Sequence, residues 1–261
     1  MTNFEAIIFE KKGPIAVITL NRPKAANGLN SLLASELADA AKLCDNDSSI
    51  RAVILTGNGR FFCAGGDIKE MASAGDDVGK AIKGLADNLH VAISVFSRMD
   101  APLIVAVNGM AAGAGFSLAI TGDIVLSSDE AKYTMAYTKA GLSPDGSSSY
   151  YLPRIVGMRR AQDLMLTNRM LSAEEAMEWG LVTRIVSSDQ LMEEALKIAN
   201  DLEEGSLGSH AAVKKLLLSS FNNTLETQME LEGREISRRA MSPDGREGIT
   251  AFTEKRAPKF S

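Results

Sequence analysis

The sequence predicts an α/β protein with buried strands, and three observations support this fold class. Short β-rich stretches alternate with helical ones through roughly the first 130 residues, an order typical of α/β proteins. Several strand-like stretches are apolar throughout, as expected of strands inside a core. Beyond residue 161 the patterns become mostly helical, which predicts that the α/β core is followed by a helical region.

The predicted strands begin with a hairpin, in which residues 6–9 and 15–20 flank the turn-like segment KKGP at 11–14. The run at 103–107 is apolar and β-branched, and Pro102 introduces it. Further strands are predicted at residues 52–55, 124–126 and 133–135.

The predicted helices follow apolar residues spaced three and four apart. Ser172 is a candidate N-cap, since acidic residues follow it in the first turn. The division between core and helical region is predicted at residue 200. The helical stretches are residues 32–43, 78–98, 111–120, 161–166, 173–179, 191–202, 211–218 and 225–239.

Composition excludes several classes of protein. A net charge of −5 and a pI of about 5.3 argue against a nucleic-acid partner, which usually requires a basic stripe. The two cysteines, Cys44 and Cys63, do not suggest a disulfide framework and fit a reduced, cytoplasmic setting. Residues 1–10 lack the pattern of a signal peptide, and no apolar run reaches the ~20 residues of a membrane helix. No metal site is predicted.

One candidate ligand-binding segment is FFCAGGDIKEM, residues 61–71. Its two glycines lack a Cβ and would let a ligand approach the backbone closely. Asp67 is a plausible N-cap for the helix-like residues after it. An ordinary strand-to-helix turn without any ligand is the alternative interpretation.

A second candidate segment is VNGMAAGAGFS, residues 107–117, in which a strand runs into a Gly/Ala-rich turn and then a helix. Free N–H groups at such a helix start carry positive partial charge, which suits a developing oxyanion. The glycine spacing is neither a dinucleotide fingerprint nor a P-loop. Small residues here could equally serve close helix packing.

Together with three further motifs, these segments resemble the enoyl-CoA hydratase/isomerase (crotonase) superfamily from end to end. The further motifs are NRPKAAN at 21–27, LSAEEA through WGLV at 171–182, and EGITAFTEKR at 247–256. The resemblance implies a crotonase-like spiral of ββα units in residues 1–200 and a helical trimerisation region in 201–261. It also implies a homotrimer or dimer of trimers. The implied small-molecule substrate is an acyl-CoA, so coenzyme A enters as the substrate's thioester and no separate cofactor is expected.

The resemblance also implies where the thioester binds. Its carbonyl oxygen is expected between the backbone N–H groups of Gly66 and Ala114. Lys24 and Lys69 correspond to cations near the nucleotide phosphates, and Lys255 to one that reaches a neighbouring subunit's ligand, although each could be a solvated surface charge. The predicted coenzyme A contacts are Lys24, Ala25, Ala64, Gly66, Asp67, Ile68, Lys69 and Lys255.

The reaction depends on which residues stand near the oxyanion. Typical hydratases of the family use two glutamates, and the matching positions here are Ser117 and Tyr137. Neither side chain can replace a carboxylate as general base near neutral pH, so simple hydration is disfavoured. A carboxylate does occur in GLSPDGSSSY, residues 141–150, at Asp145. Asp145 could also be a simple Asx turn or N-cap.

The segment around Asp145 resembles that of Δ3,Δ2-enoyl-CoA isomerases, in which one carboxylate moves a proton from C2 to C4. A rival resemblance is to 4-chlorobenzoyl-CoA dehalogenases, through GMRRA to LMLTNR at 157–169. It would make Asp145 a nucleophile and His90 a base, although His90 could equally be a helix residue with no role in chemistry. Dehalogenases surround the ring with aromatic side chains, whereas only Tyr137 is aromatic here and the other corresponding residues are Ala64, Ile82 and Leu89. Isomerase is therefore favoured. Hydratase-like or ring-opening chemistry and a non-catalytic acyl-CoA-binding protein are the remaining alternatives.

Overall fold

The strands form two sheets, and three consecutive pairs of strands after the N-terminal hairpin contribute one strand to each sheet. A computed structural model describes residues 4–261. Residues 1–3, which belong to the predicted core and to the N-terminal segment assessed for a signal peptide, lie outside this range. In chain order the described strands are β1 (Ile7–Lys12), β2 (Ile15–Leu20), β3 (Ala52–Gly57), β4 (Phe61–Cys63), β5 (Leu103–Val107), β6 (Met110–Ala112), β7 (Ile124–Ser128), β8 (Lys132–Thr134), β9 (Leu171–Ser172) and β10 (Arg184–Val186).

The described helices complete the repeating units and form the C-terminal region. They are α1 (Ser31–Asn46), α2 (Ile68–Ser73), α3 (Val78–Arg98), α4 (Ala114–Ala119), α5 (Ser148–Val156), α6 (Met158–Thr167), α7 (Ala173–Glu178), α8 (Leu191–Glu203), α9 (Leu207–Ser220), α10 (Leu225–Met241) and α11 (Pro243–Glu254). Within residues 4–261 no helix combines the length and apolarity needed to cross a membrane.

The larger sheet has the order β1-β2-β3-β5-β7-β10, and the smaller one β4-β6-β8-β9. The pairs β3–β4, β5–β6 and β7–β8 each send their first strand to the larger sheet and their second to the smaller one. Neighbours are parallel except in the β1–β2 hairpin and the β8–β9 pair. This arrangement is the predicted spiral of ββα units.

Helices cover the larger sheet on both faces, which explains why its central strands are apolar throughout. One face belongs to the main core, which includes fully buried residues of α1 and α3 such as Leu37 and Phe96. The other face packs against α8, where Ile54 and Ile104 meet Leu191 and Ile198. The core therefore holds β3 and β5 in place. β4 comes directly after β3 in the chain, and β6 directly after β5.

Several predicted elements differ from the structure. The residues predicted as one helix over 111–120 form the end of β6 and then α4, because β6 pairs with both β4 and β8. The N-cap residue of α5 is Ser147, so Asp145 is not the N-cap of that helix. The strands β9 and β10 and the helix α11 were not predicted. The predicted boundary after residue 200 lies within α8 and stays a prediction.

Two local predictions at helix ends are confirmed. The Ser172 side chain accepts a hydrogen bond from the Glu175 N–H, and the Glu175 carboxylate accepts one from the Ser172 N–H, which makes a capping box for α7. The Asp67 side chain accepts hydrogen bonds from the N–H groups of Lys69 and Glu70 at the start of α2.

Candidate active site

The two glycine-containing segments meet because β4 and β6 are parallel neighbours, with Cys63 opposite Ala111. The contact is closest just after the strands. A Cβ built on Gly65 would lie 2.9 Å from the Ala112 carbonyl oxygen, and one on Gly113 would lie 3.6 Å from the Gly65 Cα. Both glycines have positive φ, 96° and 52°, a conformation that side chains disfavour. At position 65, therefore, only glycine lets the two backbone segments lie this close without strain.

The residues that follow these two glycines carry available backbone donors. Ala114 is the first residue of α4, so its N–H has no acceptor within that helix. Across residues 4–261, neither this N–H nor that of Gly66 donates a hydrogen bond to another protein group. Gly66 and Ala114 both line one cavity. A ligand in that cavity could accept both hydrogen bonds.

This cavity, the active-site cavity, has a volume of about 550 Å³. Its apolar wall includes Ile68 and Met71 of α2 and residues of α3. Asp145 is the only carboxylate among the lining residues that the structure describes, and Tyr137 the only Phe, Tyr or Trp side chain. The lining is Ala64, Gly65, Gly66, Ile68, Met71, Gly79, Ile82, Lys83, Leu85, Ala86, His90, Gly113, Ala114, Ala136, Tyr137, Lys139, Ala140, Leu142, Ser143, Pro144 and Asp145.

Asp67 fixes the loop that carries the Gly66 N–H. Besides capping α2, its carboxylate accepts a hydrogen bond from the Arg22 guanidinium at 2.8 Å. Arg22 also donates to the Gly28 carbonyl oxygen, beside the short bridge between Leu29 and Gly66. Burial raises the pKa of Asp67, but the hydrogen bonds from Arg22 and the Glu70 N–H outweigh it and leave this pKa below its usual value.

The depressed pKa gives a stability prediction for Asp67→Ala. The loss of the cap and the ion pair is expected to lower the free energy of unfolding by ~1–2 kcal/mol at neutral pH. A carboxylate with a lowered folded-state pKa contributes stability above its unfolded pKa of about 3.9, and loses it as pH falls through the folded value. Urea unfolding from pH 7 to pH 3 should therefore show the two proteins converging at low pH.

Asp67→Asn is the matched control, because asparagine keeps the cap and removes only the charge. It should lose less stability than Asp67→Ala at pH 7. A gap between wild type and Asp67→Ala that stayed constant down to pH 3 would contradict an ionised Asp67 as its source.

Three hydroxyl groups hold the backbone of Asp145. Its carbonyl oxygen lies 2.8 Å from Ser117 Oγ, 2.9 Å from Ser148 Oγ and 3.1 Å from the Tyr137 hydroxyl. The Ser117 and Tyr137 hydroxyl oxygens lie 2.9 Å apart, but with both protons directed at the Asp145 carbonyl oxygen neither donates to the other. The two positions that match the hydratase glutamates thus position the Asp145 loop.

Neither Tyr137 nor Cys63 supplies a base near neutral pH. Burial raises the pKa of the Tyr137 hydroxyl further above its usual value. Burial likewise raises the pKa of the Cys63 thiol to about 12, so it stays protonated. Asp145 and His90 are therefore the lining groups best suited to accept a proton.

The Asp145 side chain pairs with His90 of α3. His90 Nε2 lies 2.7 Å from Asp145 Oδ1, and the side chains are 48% and 37% exposed. Within residues 4–261 the other carboxylate oxygen, Oδ2, accepts no hydrogen bond from the protein. The pair orients the carboxylate and leaves one of its oxygens available to a ligand.

The structure brings most predicted site residues to the active-site cavity, and some lie elsewhere. Lining it are Ala64, Gly66, Ile68, His90, Ala114, Tyr137 and Asp145. The remaining predicted coenzyme A contacts, namely Lys24, Ala25, Asp67, Lys69 and Lys255, are not among its lining residues, and all but Asp67 are exposed. Leu89 stands at one of the positions where dehalogenases are expected to have an aromatic side chain against the ring. It is fully buried in the core and is not among the lining residues.

Two lysines in the lining, Lys83 and Lys139, were missed by the sequence analysis. Lys83 forms an ion pair with Asp87 on the surface of α3. The helical period offered a partial signal for the α3 wall, because Ile82, Ala86 and His90 recur every four residues. Lys139 lies in a short 3-10 turn, where the residues follow no such pattern.

Comparison with known proteins supports the fold and the class of site together. Residues 10–261 match the family model described as enoyl-CoA hydratase/isomerase. The 1,2-epoxyphenylacetyl-CoA isomerase of Escherichia coli (strain K12) is 37% identical over 98% of this chain and 98% of that protein. A probable enoyl-CoA hydratase of Rhodobacter capsulatus is 36% identical over 99% of each.

The structure is also close to a solved one. The crystal structure of an enoyl-CoA hydratase from Polaromonas sp. JS666 superposes with a TM-score of 0.94 at 32% identity, covering 98% of this chain and 100% of that one. The fold is thus that of the crotonase superfamily. The chain belongs to the enoyl-CoA hydratase/isomerase family, and the relatives carry both hydratase and isomerase names.

Proposed function

We propose that the protein is an acyl-CoA isomerase that shifts a double bond from the Δ3 to the Δ2 position, with Asp145 as its base. One observation carries this proposal: Asp145 is the only carboxylate among the described residues that line the cavity containing the Gly66 and Ala114 amides. Hydration in this family uses two carboxylates, whereas a 1,3-proton shift needs one. The resemblance of residues 141–150 to the corresponding segment of Δ3,Δ2-enoyl-CoA isomerases also supports the proposed isomerase activity.

The proposed reaction has two proton transfers. The Asp145 carboxylate removes a proton from C2 of a 3-enoyl thioester, and the electron pair spreads into a dienolate whose oxygen accepts hydrogen bonds from the Gly66 and Ala114 N–H groups. Asp145 then returns the proton to C4, which leaves the conjugated 2-enoyl thioester. The hydrogen bond from His90 to Oδ1 leaves Oδ2 free to carry the proton between the two carbons.

Binding of the coenzyme A part is proposed to involve residues outside the cavity. Lys24 and Lys69 are exposed and form no ion pair within residues 4–261, so both can approach phosphate groups. We also propose a homotrimer or dimer of trimers, in which Lys255 approaches a neighbouring subunit's ligand. Large exposed apolar side chains on the C-terminal helices and at their ends support this assembly. They include Leu217, Phe221, Leu225, Met229, Ile236, Met241 and Phe252.

A substrate panel tests the activity. Purified protein should convert 3-enoyl-CoA to 2-enoyl-CoA, seen as the rise in absorbance of the conjugated thioester, and should hydrate 2-enoyl-CoA far more slowly. In deuterium oxide the product should carry deuterium to the extent that the proton on the 37%-exposed Asp145 carboxylate exchanges with solvent before it is returned to C4. Faster hydration than isomerisation would contradict the proposal, and binding with neither conversion nor exchange would indicate a non-catalytic acyl-CoA-binding protein.

The contact between His90 and Asp145 favours one second candidate, dehalogenase-like hydrolysis of a 4-halobenzoyl-CoA. The Asp145 carboxylate would attack the halogen-bearing ring carbon and release halide, and a water activated by His90 would hydrolyse the resulting aryl ester. The mostly aliphatic lining opposes this, since Tyr137 is the only Phe, Tyr or Trp side chain among the described lining residues that a benzoyl ring could contact. Halide release from 4-chlorobenzoyl-CoA that is lost in His90→Gln would favour this candidate over the isomerase.

A further inference from the structure

His90 lies between two cavities. Further along α3, beyond His90, a second cavity of about 770 Å³ opens between α3, the start of α5 and α9. Among the residues described as lining either cavity, only His90 lines both. The chain also passes from one to the other within two residues, because Asp145 lines the active-site cavity and Ser147 the second cavity.

His90, which lines both cavities, and residues 145–147, which pass from one cavity to the other, lie at the boundary between them; the name wall refers to these residues. The 2.7 Å contact with Asp145 Oδ1 holds the imidazole in place. The backbone of residues 145–147 is held more firmly than the imidazole. Gly146 is buried with a φ of 61°, and a Cβ built on it would lie 3.0 Å from Ser117 Cβ. The imidazole is therefore the part of the wall that a side-chain substitution can remove.

The second cavity can receive an aliphatic chain along part of its wall. Ile93, Tyr150, Tyr151 and Leu218 contribute apolar and aromatic surface, and the remaining lining is polar, including the cations Arg98 and Lys215. Its far wall, α9, is anchored to the core, since the buried Lys214 donates to the carbonyl oxygens of Phe96 at 3.0 Å and Ala101 at 2.8 Å, and pairs with Asp123 at 2.8 Å.

We infer that His90 determines acyl-chain length: its imidazole ends the acyl pocket beside Asp145, and its removal joins this pocket to the second cavity, which then receives the tail of a longer acyl group. This inference rests on the proposed function, because it places the acyl group of a thioester next to Asp145. The inference adds that the substrates of the wild-type protein are short-chain acyl-CoA thioesters.

Binding of saturated acyl-CoA thioesters tests the inference without any turnover. The probes are butanoyl-CoA and decanoyl-CoA, titrated calorimetrically into wild type and His90→Ala. Each methylene that moves from water into an apolar site improves affinity about fourfold. The ratio of decanoyl-CoA to butanoyl-CoA affinity is expected to rise at least ~10-fold in His90→Ala relative to wild type.

Two further variants test whether the gain in relative decanoyl-CoA affinity comes from opening the wall at His90 into the second cavity. His90→Gln keeps a side chain of similar length and should keep the wild-type ratio. The double variant His90→Ala, Ser94→Phe fills the second cavity from the exposed face of α3 and should lose the gain. His90 is half exposed, so these variants are expected to fold, which circular dichroism checks.

The outcomes distinguish this inference from the proposed function. If butanoyl-CoA binds wild type but the ratio is unchanged in His90→Ala, the inference is overturned and the proposed function stands. A gain that also occurs in His90→Gln, or that survives Ser94→Phe, overturns it as well. If no acyl-CoA binds wild type, both are overturned.

Discussion

Asp145→Asn is expected to lower kcat for 3-enoyl-CoA isomerisation by roughly 10²–10⁴-fold, the contribution of a positioned general base. Asparagine has nearly the same shape as aspartate and can still hydrogen-bond to His90, so the loss isolates the missing proton acceptor. The three hydroxyl groups that bind the residue's carbonyl oxygen contact only the backbone and should hold the loop unchanged.

The measurement is a steady-state assay together with calorimetric binding of butanoyl-CoA. Affinity for this saturated thioester should stay within a few-fold of wild type, because the amide donors and the apolar wall are intact. Asp163→Asn is a suitable control, since it also removes one carboxylate from an ion pair but lies in α6, outside the lining of the cavity. Wild-type turnover in Asp145→Asn would end the assignment of Asp145 as the base.

The elements that the sequence predicted best are those whose own residues determine them. The long helix α3 and the strand β5 have the predicted bounds, because apolar spacing and β-branched runs are local signals. The strand β6 was hidden in a small-residue run that favours a helix. It is a strand because β4 and β8 lie on either side of it, and that pairing depends on residues distant in the chain.

The candidate site divides in the same way. The glycine segments could be interpreted either as close packing or as ligand contact, and the structure distinguishes glycines that meet other backbone from those that line the cavity. A Cβ on Gly115 would lie 2.1 Å from the Cys63 carbonyl oxygen, so this glycine serves packing. Gly66 lines the cavity with a free N–H. The sequence singled out His90 and Asp145 separately, but not their contact, because they are 55 residues apart on different elements.

Ala114→Pro is expected to lower kcat by roughly 10²–10³-fold, the usual cost of losing one oxyanion donor. Proline has no N–H, so the variant loses the hydrogen bond that the Ala114 N–H is proposed to donate to the dienolate oxygen. The fold should tolerate it, because proline suits the first position of a helix, where the N–H has no intrahelical acceptor. The first main-chain hydrogen bond of α4, from the Ser117 N–H to the Gly113 carbonyl oxygen, does not involve the Ala114 N–H.

Because the proposed donor acts most strongly on the developing negative charge, kcat should fall more than the affinity for butanoyl-CoA does. Ala114→Gly is the matched control: it keeps the N–H and removes only a methyl group, so its kcat should stay within about tenfold of wild type. Thermal unfolding establishes that both variants are folded. A folded Ala114→Pro protein with wild-type kcat would mean that the charge is stabilised elsewhere, and the pairing of this amide with that of Gly66 would no longer explain the chemistry.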